Sequence, residues 1–278
     1  MKNFKDKVAI ITGGGAGIGR ALCEELSNQG SIVVVADING ENAKNVAAAI
    51  IQNGGKADYM AVDVSSEKEV EKLIDDTVLK YGRIDYIFNN AGIAIGGDVR
   101  DLSLEQWKKV IAINFYGVLY GSIFAYKIMA KQGFGHIINT SSGTGLMPQP
   151  GNTPYCASKH AVVGLSLSLR YEGLDLGVKV STICPGHVQT NIYKNMTVAN
   201  VPNEKLVASL PVKAMDTKEA VSIILDGILK NKDIIIFPTN VKWAWRINRL
   251  FPRLLDNAWV AKIRNIRNLR QEPSSEKL

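Results

Sequence analysis

The chain has 278 residues, 46% of them apolar, with 25 Gly and 9 Pro, which excludes a disordered, collagenous or low-complexity chain and predicts a sizeable packed core. Three cysteines (Cys23, Cys156 and Cys184) are too few and too scattered for a disulfide framework or a structural zinc cluster, so a reducing compartment is expected. The net charge of +7 is local: residues 1–240 carry 24 basic and 23 acidic side chains, so the body is nearly neutral, and because no recognised nucleic-acid module accompanies the basic C-terminal region no nucleic-acid partner is expected.

The opening MKNFKDKVAIITG runs straight into a strand at 7–12 rather than a secretion signal with its cleavage site. A Gly-rich stretch follows, then a helix from Ile18 to Gln29 and a strand at Ile32–Ala36 ending on Asp37, the start of a βαβ unit. The alternation continues with a helix over 41–53, a strand at 57–62, a helix over 67–80 and a strand at Tyr86–Asn89. Beyond these come a helix near 104–131, a strand at 136–141, a helix over 155–173 and a strand at 178–183. A helix over 217–230 and a strand at Asp233–Phe237 complete the pattern. Apolar strands separated by helices predict a doubly wound α/β fold, a parallel sheet covered on both faces. No apolar run reaches the roughly 18 residues of a membrane-spanning helix. One domain over 1–240 with an extension over 241–278 is the expected organisation.

Between the first strand and first helix stands Thr12-Gly13-Gly14-Gly15-Ala16-Gly17-Ile18-Gly19. Small residues there let the backbone approach a pyrophosphate while a helix N-terminus faces its charge. A glycine loop alone reads as a tight turn; with Asp37 closing the next strand it reads as a dinucleotide site. Asp37, with Ile38 beside it, is placed to accept a hydrogen bond from the adenosine ribose 2′-hydroxyl and to repel a 2′-phosphate. No Arg or Lys stands in the loop, so NAD is expected over NADP. Asp63, at the end of the third strand, would accept from the adenine amino group with Val64 beside the ring; its competing assignment is a cap for the next helix. Asn89-Asn90-Ala91-Gly92 would admit the cofactor closely and brace strand ends with its amides.

Tyr155 and Lys159 are four residues apart at the start of a helix, so both reach one face. A tyrosine with its ordinary pKa near 10 is a poor acid or base at neutral pH, but an adjacent ammonium favours the phenolate. With the glycine loop, Asp63, Asn89–Gly92, Asn114, Ser142, Pro185-Gly186 and Thr190, the pair makes residues 5–240 resemble the short-chain dehydrogenase/reductase superfamily in its single-domain form. That resemblance implies a Rossmann fold and hydride transfer between NAD(H) and a secondary alcohol or ketone. It implies Tyr155 as general acid/base, Lys159 as the group that lowers its pKa and binds the nicotinamide ribose, and Ser142 as the residue orienting the substrate oxygen, with Ser141 its rival. Asn114 would hold a water linking Lys159 to solvent. Pro185, Gly186, Val188 and Thr190 would face the nicotinamide, Val188 through its backbone and Thr190 through its hydroxyl. The resemblance further implies a homodimer or homotetramer formed through the helices near 104–131 and 155–173, and the compartment expected is the cytoplasm. The rival functions are an NADP-dependent carbonyl reductase and a dinucleotide-binding scaffold; the complete Ser142/Tyr155/Lys159/Asn114 set argues against the scaffold. His136, His160 and His187 lack ligand spacing, so no metal is expected.

Two segments depart from the plain pattern. Around Asn191–Pro211, the residues Ile192, Tyr193, Met196, Val198, Val201, Leu206, Val207 and Leu210 suggest an apolar lid and hence a hydrophobic substrate such as a steroid, retinoid or fatty acyl derivative. Residues 241–270 then carry eight Lys or Arg against Asp256 alone, together with Trp243, Trp245, Phe251 and Trp259, and Pro252 divides them into two helices. They read either as a helical cap over the pocket or a subunit contact, or as a peripheral membrane or partner surface.

Overall fold

In the computed structural model, residues 4–190, 196–201 and 214–269 are described. The first half alternates β1 (Val8–Thr12), α1 (Gly17–Asn28), β2 (Ile32–Asp37), α2 (Gly40–Gln52), β3 (Lys56–Ala61), α3 (Glu67–Tyr81) and β4 (Tyr86–Asn89). The short β5 (Ile95–Gly96), α4 (Leu104–Ile111), α5 (Gly117–Gln132), β6 (Gly135–Thr140), α6 (Thr153–Glu172), β7 (Val178–Pro185) and a second short strand, β8 (Thr197–Val198), come next. Then follow α7 (Thr217–Leu229), β9 (Ile234–Phe237), α8 (Thr239–Leu250) and α9 (Asp256–Asn268).

Seven strands form one parallel sheet in the order β3-β2-β1-β4-β6-β7-β9. The inner strands are apolar and β-branched because both their faces are covered: Ile11, Val33, Val35 and Phe88 pack against α1 and α2, and Ile10, Val34, Ile87 and Ile137 pack on the side of α3 and α5. β3 departs from the continuous burial expected of it. As the edge strand it carries only exposed and half-buried residues. The order reverses direction between β1 and β4, and in a doubly wound sheet the ligand crevice opens outside the carboxyl ends at that point.

Four of the described α-helices open on a polar cap: Asn39 accepts from the Asn42 amide at α2, Ser66 from Glu69 at α3, Ser103 from Gln106 at α4, and Asp216 from Lys218 and Glu219 at α7. α1 begins at Ala16 with no side-chain cap, so its first amides remain available to a ligand.

The helix expected near 104–131 is a path of two α-helices joined by a π-helical turn at Ala112–Tyr116. It is 29 residues long, and an 18-residue window within it reaches a mean hydropathy of 1.2, long and apolar enough by length and composition to cross a membrane although polar residues such as Asn114, Ser122 and Lys127 interrupt it. Here Val118, Ala125 and Met129 are buried, the last two packed in the core on the α3 side of the sheet. The two-residue pairing of β5 with β8 has no periodic signature and was not expected. Pro252 begins the 3-10 turn that separates α8 from α9, as its position predicts. Lid residues Met196, Val198 and Val201 are buried or half-buried, whereas Ile192, Tyr193, Leu206, Val207 and Leu210 lie outside the described residues, as does Arg270.

Candidate active site

β1 and β4 end side by side, and their ends are tied through Thr12. Its hydroxyl donates to the Phe88 carbonyl and accepts from the Asn90 and Ala91 amides at 3.0 and 3.1 Å. The Asn90 side chain donates to the Thr12 carbonyl at 3.1 Å, and Asn89 donates to Asn139 on β6 at 2.8 Å. These amides therefore brace the strand ends.

Between them the chain leaves a cleft lined by Gly13, Ala16, Gly17, Ile18, Asn90, Ala91 and Gly92 on one side. Ile93, Ala94, Thr140, Ser141, Ser142, Tyr155, Lys159, Pro185, Gly186, Val188 and Thr190 complete its wall. The loop after β1 is tight: a Cβ on Gly19 would come within 2.1 Å of the Gly13 carbonyl oxygen. Gly17 has φ +54°, and a Cβ there would meet the Thr190 methyl across the cleft at 3.3 Å. Gly15 donates its amide to Asp37 Oδ2 at 2.9 Å, and Asn39 donates to Asp37 Oδ1 at 2.9 Å. The carboxylate is thus fixed beside the loop with acceptor capacity left over. Uncapped α1 amides, a backbone that admits no side chain and a fixed carboxylate beyond it are what an adenine dinucleotide requires, so the residues present fit that group.

Other candidates lie outside the lining. Ile38 is 71% exposed. Val64 is buried against Gly117, and Asp63 accepts from the Ser65 amide and hydroxyl at 2.9 and 2.7 Å. Asp63 is not the α3 cap; Ser66 is.

At the far end of the cleft, α6 begins one residue before Pro154, which places Tyr155 in its first turn and Lys159 one turn further on. The Lys159 ammonium lies 5.6 Å from the Tyr155 ring centroid and donates to the Thr140 carbonyl at 2.8 Å. Complete burial, which disfavours the charged form, lowers the Lys159 pKa to about 8. Ser141 spends its hydroxyl on the Lys159 carbonyl at 2.8 Å, while Ser142 makes only a long contact to the Pro185 carbonyl at 3.5 Å and accepts from Thr144 at 3.2 Å. Of the two, Ser142 has the hydroxyl more open to a substrate oxygen.

Asn114, in the π-helical turn, sits behind the wall. Its Oδ1 accepts from the Ile93 amide at 2.8 Å, and its Nδ2 donates to the Ile93 carbonyl at 2.9 Å and to Ser158 at 3.3 Å. Only Gly92 separates it from Lys159, for a Cβ there would lie 3.2 Å from Asn114 Oδ1 and 3.5 Å from Lys159 Nζ. Sequence reasoning missed Thr140, Ile93 and Ala94. Position at or shortly after a strand end was their only signal. It also missed Val241 of α8, which packs against Gly143 and Gly186 beside the reacting end.

A doubly wound sheet, an uncapped Gly-rich helix start and a Tyr-Lys pair at one end of a shared cleft define an oxidoreductase of the dinucleotide-binding class. The model of the short chain dehydrogenase family matches residues 7–200, and the chain belongs to that family. It is 38% identical over 189 residues to meso-2,3-butanediol dehydrogenase of Serratia marcescens, covering 68% of this chain and 74% of that protein. It is 32% identical over 231 residues to cyclohexanol dehydrogenase of an Acinetobacter species, covering 82% and 89%. Its structure is similar to a crystal structure of a short-chain dehydrogenase/reductase from Burkholderia phymatum in complex with NAD, with a TM-score of 0.84, 27% identity and coverage of 91% and 96%.

Proposed function

We propose that this chain moves a hydride between NAD(H) and an apolar secondary alcohol or ketone. The observation that carries the reading is a single cleft with Asp37 beyond the glycine loop at one end and Tyr155, Lys159 and Ser142 at the other. When bound, the dinucleotide supplies the hydride donor or acceptor. Gly13, Gly15, Ala16, Gly17, Ile18 and Gly19 would hold its pyrophosphate, Asp37 and Ile38 its adenosine ribose, Asp63 and Val64 its adenine. Asn90, Ala91, Gly92, Pro185, Gly186, Val188 and Thr190 would enclose the nicotinamide half.

Tyr155 exchanges a proton with the substrate oxygen. Lys159, charged and 5.6 Å from the ring centroid, stabilises the phenolate form. Ser142 orients the substrate oxygen. Asn114 fixes Ile93 behind Lys159, a position suited to a water that carries protons from Lys159 outward. Ile93, Ala94 and Val188 give the reacting end an apolar wall, consistent with an apolar substrate and with a relative named for cyclohexanol.

The catalytic unit spans residues 1–240, and 241–278 is an appendage. Tyr116 and Ile123 remain exposed on the helical path 104–132, which supports a homodimer or homotetramer formed through that path and α6. Three free thiols fit a cytoplasmic setting, and the basic tail fits peripheral contact with a membrane.

Parallel titration with NADH and NADPH, followed by NAD-dependent oxidation of cyclic secondary alcohols, tests the reading. NADH is expected to bind at least roughly tenfold more tightly, because a 2′-phosphate would meet the Asp37 carboxylate. Equal or tighter NADPH binding overturns the cofactor assignment, and NADH binding without turnover of any alcohol or ketone overturns the reaction.

A further inference from the structure

The C-terminal hairpin of α8 and α9 has two unlike sides. Its inner side is fastened to the body. Arg267 Nε donates to Asp98 Oδ2 at 2.6 Å, with the Asp98 side chain 3% exposed. Ile266 is buried against Gly151, and Val241 touches Gly143 and Gly186.

The outer side is apolar and basic at once. Trp243, Ile247 and Leu250 recur on one face of α8 and stay 56%, 37% and 72% exposed, and Phe251 and Leu254 in the following turn stay 64% and 68% exposed. A surface helix ordinarily turns such a stripe inward, whereas α8 turns it to solvent. Lys242, Arg246, Arg249 and Arg253 are interleaved with the stripe, and none of the four has a carboxylate partner among the described residues. The Arg246 guanidinium lies 5.2 Å from the Trp243 ring, a planar cation resting on an indole.

We propose that this outer face docks on an anionic lipid bilayer, with Trp243, Leu250, Phe251 and Leu254 at the headgroup boundary and the Arg and Lys heads on lipid phosphates. Charge decides the occupant. A second copy would bring the same four cations against themselves across a two-fold axis, and a nucleic acid backbone would leave the apolar stripe with nothing to bury against. Because the inner side of the same hairpin meets Gly143 and Gly186, docking brings the reacting end of the cleft next to the bilayer. An apolar alcohol or ketone partitions into that phase. This last step rests on the substrate class proposed above.

The test is flotation of the full chain with vesicles of phosphatidylcholine alone or mixed with phosphatidylserine, alongside light scattering and turnover of cyclohexanol in lipid-free buffer. Binding to the anionic vesicles only, weakened by salt, is expected. Leu250→Asp with Phe251→Asp should cut binding by roughly tenfold or more while NADH binding persists. Should that pair disturb folding, Arg246→Gln and Arg249→Gln should each cost roughly fivefold. A full chain that ignores anionic vesicles, or binding untouched by both variant pairs, overturns the docking. So does a drop in molar mass in Leu250→Asp/Phe251→Asp without loss of vesicle binding, since the face is then a subunit contact. Vesicle binding without turnover sinks the substrate reading and leaves the docking supported; turnover without vesicle binding does the reverse.

Discussion

Lys159 must be charged to stabilise the Tyr155 phenolate, yet α6 and the end of β6 bury it completely with the Thr140 carbonyl as hydrogen-bond partner. Burial disfavours the ammonium, which is why its pKa falls from 10.5 to about 8. Below about pH 8 the residue is charged and supports the reaction; above it the charge is lost from the cleft. We therefore expect kcat/KM for alcohol oxidation to fall on an alkaline limb near pH 8 in the wild-type chain. In Lys159→Arg that limb should vanish while the rate drops, because a guanidinium stays charged. A wild-type limb that persists unchanged in Lys159→Arg would assign it to another group. The same shift makes the fold gain stability as pH rises from about 8 toward the ordinary lysine value, since the unfolded chain there holds a proton the native one has released.

At the level of elements, the alternation of strands and helices was legible because both faces of the inner strands are covered, so β1 and β2 read as apolar runs and β6 and β7 keep an apolar centre between polar ends or alternating polar residues. The site was legible for the related reason that its residues close strands or open helices: Asp37 ends β2, Asn89 ends β4, and Tyr155 lies in the first turn of α6. What escaped notice has no local pattern. β5 and β8 are two residues each, and the Asp98–Arg267 contact joins residues 169 apart in sequence. The tail illustrates the difference. Its amphipathic composition was readable, but which face turns inward depends on partners from β5 to α6. Asp98 also accepts from Arg100, so two guanidinium groups hold its carboxyl well below the usual range and keep the contact ionised through mild acid. Arg267→Ala leaves Arg100 in place, so the cost to global stability should stay near 1 kcal/mol or less. Its effect should instead appear locally, as faster proteolysis within 256–268. An unchanged cleavage rate would mean that Ile266 and its packing, not the ion pair, hold α9 down.

For the molecule as a whole, this NAD(H)-dependent oxidoreductase of alcohols and ketones carries its clearest pH-sensitive structural group far from the chemistry. His136 lies on β6 between Tyr86 of β4 and Ser181 of β7, 4% exposed. The Ser181 hydroxyl donates to the Lys232 carbonyl, so it receives its contact from His136 Nε2 at 2.8 Å as an acceptor, which fixes the ring as a neutral Nε2–H tautomer. Burial first, and the charges of Lys179 and Arg170 second, lower the pKa from 6.5 to about 3. In the unfolded chain the ring takes up a proton near its ordinary value, whereas the native chain refuses it until much lower pH. Stability from this residue is therefore complete above about pH 6.5 and declines as pH falls toward 3. At pH 4.5 the loss is on the order of 2 to 3 kcal/mol, a large part of what a domain of this kind has in reserve. His136→Gln keeps a donor for Ser181 and removes the proton uptake. Denaturant unfolding of both chains at pH 7 and pH 4.5 should show a smaller acid loss in the variant, and parallel losses would move the acid sensitivity to the carboxylates instead.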